Sequence, residues 1–214
     1  MNKKKSFLMA VALVLVCVMS VMGTVAFMKH ETGAVTNTFM AAGGGSLANG
    51  LTLEESQAVK DADGSYSLGS TKVNSNSYEA MPGMTLPKDP TITITGKTEA
   101  PAYLYLETVG SLPDAYVWAL NSNWVVVPGL TGNNNGTVYV WTENGSSVIT
   151  GTGADRTYNI IVDNQITIAA DTEGSALVTT DSNKTLTFYA YLAQSTVGAN
   201  STPKSVYETA FGGN

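Results

Sequence analysis

Hydrophobic positions along most of the chain recur in short runs rich in Val, Ile, Thr and Tyr, and clusters of Gly, Asn and Asp break them up. That is the pattern of antiparallel strands joined by turns. The clearest runs are Thr91–Thr95, Ala102–Glu107, Trp124–Val127, Thr137–Trp141, Arg156–Val162, Gln165–Ala169 and Leu186–Leu192. Seven such runs predict an all-β, antiparallel β-sandwich. Thr91-Ile92-Thr93-Ile94-Thr95 and Gln165-Ile166-Thr167-Ile168 alternate with period two, so each buries isoleucines on one face and wets hydroxyls or amides on the other. Gly132-Asn133-Asn134-Asn135-Gly136 reads as a polar loop, and Glu143-Asn144-Gly145-Ser146 holds an Asn-Gly pair suited to a tight turn. Two short accessory helices are predicted, Glu54–Ala62 and Pro203–Phe211, the second with Thr202 placed to cap it and Pro203 at its first position.

The amino-terminal end has a different pattern. Lys3, Lys4 and Lys5 precede an uncharged run from Phe7 to Met22 that closes on Gly23, Thr24, Val25 and Ala26. This is the layout of a secretory signal peptide, and small residues at Thr24 and Ala26 put cleavage between Ala26 and Phe27. The competing reading is an uncut anchor, because no charge occurs from Phe7 to Met28. Cys17 follows Val16 rather than a small residue, so it reads as an apolar filler and not as a lipidation site. The expected organisation is a signal peptide over 1–26, an extended segment over 27–45 ending in the flexible joint Gly43-Gly44-Gly45, and a β-sandwich domain over 46–214.

Charge and cysteine usage narrow the function. The whole chain has net charge −6. Loss of Lys3, Lys4 and Lys5 with the signal leaves eight basic against 17 acidic residues, which repels phosphate backbones and argues against nucleic acid as a partner. The single cysteine leaves with the signal as well, so disulfides and thiolate chemistry are excluded from the secreted chain.

Several blocks together resemble the TasA and camelysin family, whose members are exported through the dedicated SipW signal peptidase. They are Gly23-Thr24-Val25-Ala26-Phe27, Ala34-Val35-Thr36-Asn37-Thr38-Phe39, Asn76-Ser77-Tyr78, Pro82-Gly83, Pro87-Lys88-Asp89-Pro90-Thr91-Ile92-Thr93-Ile94, Ala102–Glu107 and Leu186–Gln194. The match is thin from Thr108 to Thr180, and Met22-Gly23 and Leu86-Pro87 depart from the family's usual residues. The resemblance implies a jelly-roll-like sandwich in an extracellular fibre or biofilm matrix, in or on a bacterium's surface. Without the family, Pro82 and Pro90 read as turn and strand-start residues, and Lys88-Asp89 as a surface ion pair.

Candidate chemistry is sparse. Camelysin-like proteins are described as metal-dependent proteases, but His30 is the only histidine and no His-Glu-x-x-His motif exists, so neither a zinc site nor a serine triad is expected. Asp61-Ala62-Asp63-Gly64-Ser65 resembles the start of a calcium loop but is short of ligands, and an acidic turn after the first helix is the favoured reading. Trp118, Trp124, Trp141, Tyr103, Tyr105 and Tyr139 suit either a polysaccharide platform or core packing. Glu107 and Glu143 form a glycosidase pair only if the fold brings them together. No cofactor is called for.

The expected function is therefore a secreted structural subunit, with a carbohydrate- or surface-binding module as the alternative. Its expected partners are further copies of itself in a head-to-tail polymer, the signal peptidase during export, and matrix polysaccharide as a candidate. Phe27, Val35 and Phe39 are apolar residues on a terminal segment with strand character, which suits a donor strand that adds to a neighbour's sheet.

Overall fold

The structure is a computed structural model that describes residues 29–31, 47–151, 153–172, 177, 185–196 and 201–212. Its strands are β1 (Lys29–Glu31), β2 (Ala48–Lys60), β3 (Tyr66–Val73), β4 (Thr85–Pro87), β5 (Thr91–Thr98), β6 (Ala102–Val109), β7 (Tyr116–Val117), β8 (Trp124–Thr131), β9 (Thr137–Trp141), β10 (Val148–Ile149), β11 (Arg156–Asn159), β12 (Gln165–Ile168) and β13 (Thr187–Gln194), with one helix, α1 (Pro203–Phe211). The protein is mostly β, with several antiparallel sheets and one short C-terminal helix. A six-stranded sheet has the order β1-β13-β6-β9-β8, and β10 also pairs with β6. A four-stranded sheet runs β11-β5-β2-β3, and a three-stranded one β4-β12-β7.

Period-two alternation explains how the sheets stack. In β5, Ile92 and Ile94 are fully buried between half-buried threonines, as their spacing predicts. They join Leu51 and Leu53 of β2, Ile166 and Ile168 of β12, Leu104 and Leu106 of β6, and Phe188 and Leu192 of β13 in one core shared by all three sheets. Strand β6 is buried on both faces from Ala102 to Glu107. Its even-numbered residues face that shared core, and Tyr103 and Tyr105 enter a second one with Val206, Tyr207 and Phe211 of α1. Helix α1 thus lies on the outer face of the six-stranded sheet. Thr202 and Ser205 close its N-terminus as a capping box, with the Ser205 N–H donating to the Thr202 hydroxyl at 3.2 Å. Gly212 ends it in the left-handed region at φ +77°.

The expected helix over Glu54–Ala62 is not formed. Those residues belong to β2, a 13-residue strand, and to the turn that follows it. Glu-Glu-Ser-Gln-Ala suits a helix locally. Here β2 has a ladder on each side, to β5 and to β3, and Leu51, Leu53 and Glu55 point inward with period two, so pairing and burial outweigh propensity. A bulge between Ser56 and Ala58 re-aims the chain where the polar residues begin.

Candidate functional site

Two buried carboxylates and one sheet edge hold the chemistry of this fold. Glu107 sits near the end of β6 on the face turned toward α1, and it is completely buried. The Gly132–Gly136 loop between β8 and β9 closes over it. Oε1 accepts the backbone N–H groups of Asn134 at 2.8 Å and Gly136 at 2.9 Å. Oε2 accepts the Asn134 side-chain amide at 3.1 Å and the Tyr191 hydroxyl at 2.6 Å. Among the described residues no cation pairs with it. Two glycines make this approach possible, because a Cβ at Gly132 would stand 2.2 Å from Glu107 Cδ and one at Gly136 2.4 Å from the Thr108 carbonyl oxygen. Burial, and then the bond to Glu107, push the Tyr191 phenol well above its ordinary range.

The second carboxylate, Glu55, is 3 % exposed and lies just before the β2 bulge. Its Oε2 pairs with the Lys88 ammonium at 2.5 Å, while Oε1 is buried without a hydrogen-bond partner. Around this pair the bulge is clamped by polar side chains. Asp89 accepts the Ser56 N–H and hydroxyl, each at 2.7 Å, and Lys72 approaches the same carboxylate at 3.7 Å. Asn76 accepts the Ala58 N–H at 2.7 Å and donates to the Ser56 carbonyl at 2.8 Å. Tyr78 donates its hydroxyl to the Pro87 carbonyl and meets Tyr66 edge to face at 5.2 Å. Burial, and next the charges of Glu55 and Asp89, push the Tyr78 phenol up. A cavity of about 600 Å³ adjoins this network, lined by Glu55, Lys88, Asn74, Tyr116, Ile166 and Phe188 among others.

The expectation of a surface ion pair at Lys88-Asp89 is corrected by this geometry. The two residues do not pair with each other; each reaches across to β2, in largely buried surroundings. Pro90 stands immediately before β5, at a position where its missing N–H costs no ladder bond. Glu55, Ser56 and Asn76 carry as much of the network, and Glu55 and Ser56 escaped notice because their stretch reads locally as a helix.

The third feature is the outer edge of β13. Strand β1 pairs there in the same chain, with Lys29 opposite Ala193, His30 opposite Leu192 and Glu31 opposite Tyr191. Only three residues of the eight-residue β13 are covered on that side by a described strand. Thr24, Ala26, Phe27, Val35 and Phe39 lie outside the described residues, as does the run Phe7–Met28.

The remaining candidates separate cleanly. Asp61 and Asp63 form the exposed β2–β3 hairpin turn, which follows a strand and not a helix. There Asp63 accepts the Ser65 N–H at 3.0 Å and hydroxyl at 2.6 Å, bonds that hold its carboxyl below the usual range. Among the described residues no group of three or more His, Cys, Asp or Glu is placed to hold a metal ion. Trp124 and Trp141 are buried and meet edge to face at 5.1 Å, Tyr103 and Tyr105 lie beside α1, and Trp118 and Tyr139 are partly buried against the shared core. These rings are packing, not an exposed platform. Glu143 is exposed in the β9–β10 turn, where Asn144 and Gly145 both have positive φ. Glu107 pairs in register with Val138, so Glu143 lies five residues farther along, roughly 16 Å at strand spacing. A glycosidase pair needs less than about 10 Å.

No family model, no curated protein and no solved structure matches the chain.

Proposed function

We propose that this protein is a secreted structural subunit of extracellular fibres or biofilm matrix, a jelly-roll-like relative of the TasA and camelysin group, and that its copies join head to tail. The observation that carries the reading is the β13 edge. A short piece of the amino-terminal segment, Lys29–Glu31, fits that edge as an antiparallel strand opposite Tyr191–Ala193. A neighbouring copy offers the same edge to the same segment, so exchange from within the chain to between chains keeps every ladder bond and adds a link. Donor and acceptor are different surfaces, so the contact repeats into a filament unless it closes into a ring. Phe27, Val35 and Phe39 would supply the side chains that set register.

Deleting residues 27–40 from the secreted chain is expected to abolish filaments in electron micrographs while circular dichroism still reports a folded β protein. Filaments of undiminished length and number from the truncated chain would refute the mechanism.

A further inference from the structure

The cavity beside Glu55 is separate from the Glu107 loop, and its chemistry is specific. Its volume of about 600 Å³ falls inside the range of small-molecule sites. Ile166 and Phe188 give it apolar lining, Tyr116 adds a ring, and Asn74, Glu55 and Lys88 add polar groups. Glu55 Oε1 is the one carboxylate oxygen among the described buried side chains that lacks a hydrogen-bond partner. A buried acceptor in that state costs free energy that a donor from a ligand recovers.

The geometry points to a binding site for a neutral sugar, such as the end unit of a polysaccharide chain. Lys88 and Glu55 line the cavity together, so a cationic ligand would meet the Lys88 ammonium and an anionic ligand the Glu55 carboxylate. A hydroxyl group suffers neither repulsion: it donates to a carboxylate and accepts from an ammonium. Glu55 lines the cavity, and a turn of its buried carboxylate would present Oε1 to a sugar hydroxyl. The less polar face of a pyranose then lies against Tyr116 and Phe188, as sugars pack on aromatic rings. None of these residues belongs to β1 or to its partners Tyr191–Ala193, although Phe188 lies on β13.

The test is an amide-resolved NMR titration of the secreted chain with the methyl glycosides of glucose, galactose and N-acetylglucosamine, and with butylammonium and butyrate as charged probes. At least one glycoside is expected to shift the amides of Glu55, Lys88 and Phe188 saturably, with Kd of roughly 1 to 10 mM. Glu55→Gln should weaken it at least about tenfold, the scale of one lost charge-assisted hydrogen bond. Leu112→Trp adds bulk to the lining without touching the ion pair, and it should weaken binding similarly, so it carries the test if Glu55→Gln does not fold. No saturable shift from any glycoside, undiminished binding in both variants, or shifts from a charged probe in place of the sugars would each overturn the assignment.

Discussion

Glu107 and Glu55 are the same residue type on neighbouring layers, both buried, and the protein treats them in opposite ways. Glu107 is closed: four donors from the Gly132–Gly136 loop and Tyr191 take up both oxygens, with no cation involved. Glu55 is open: one oxygen holds Lys88, the other has no partner, and the residue borders a cavity. A carboxylate satisfied by fixed dipoles locks a loop to a strand, whereas one with a cation on one oxygen only keeps accepting capacity on the other.

Breaking the closed site should cost most. Glu107→Ala strands two backbone N–H groups, an amide and a phenol, and is expected to lower stability by about 3 to 5 kcal/mol in urea unfolding. Gly136→Ala should approach that loss, since its Cβ would collide with the Thr108 carbonyl. A change below about 1 kcal/mol in both variants would mean that the loop does not close on the glutamate.

The open site gives a different signature. Lys88→Met leaves Glu55 as an uncompensated buried charge and should cost about 3 kcal/mol, while the double variant Glu55→Leu, Lys88→Met should return to within about 1 kcal/mol of the parent. Equal losses in the single and double variants would show that the pair is not coupled.

Those two sites also mark how far the sequence could be read. The strand around Thr91–Ile94 was legible because burial alternates within the run, and Ala102–Glu107 because it is a short, nearly unbroken apolar run, both of them local properties. Pro203–Phe211 was legible because Thr202 and Pro203 write its start into two consecutive residues. The segment Glu54–Ala62 was not, because its ladders come from β3 and β5 and nothing local announces them. Likewise Gly132–Gly136 reads as an ordinary connection until its N–H groups are found on a carboxylate 27 to 29 residues away in the chain. Long-range polar pairing leaves no period in a sequence.

A smaller effect sharpens the comparison through pH. Unfolded tyrosines lose their protons near pH 10. Burial holds Tyr105 and Tyr191 protonated above that, Tyr191 also through Glu107. Above about pH 10 the unfolded state therefore binds fewer protons, so stability is full below that pH and falls as pH rises, by at most about 1.4 kcal/mol per unit for each such tyrosine. Tyr191→Phe should flatten the slope by one tyrosine's share in unfolding experiments between pH 9 and 11, a window set about the ordinary phenol range. An unchanged slope would place Tyr191 in a wetter setting than the Glu107 site provides.

The central claim, that the amino-terminal strand passes between copies, is tested most directly by a disulfide that can form only across chains. The chain's single cysteine, Cys17, lies in the stretch proposed to be removed on export, and Lys29 lies opposite Ala193 in the β1–β13 ladder. Lys29→Cys protein mixed with Ala193→Cys protein under assembly conditions should yield, on oxidation, a covalent dimer containing one chain of each kind, as mass spectrometry of the linked peptides would establish. If the mixed dimer is absent while the double variant closes its disulfide within a single chain and filaments still form, the strand stays at home and the donor-strand account is contradicted.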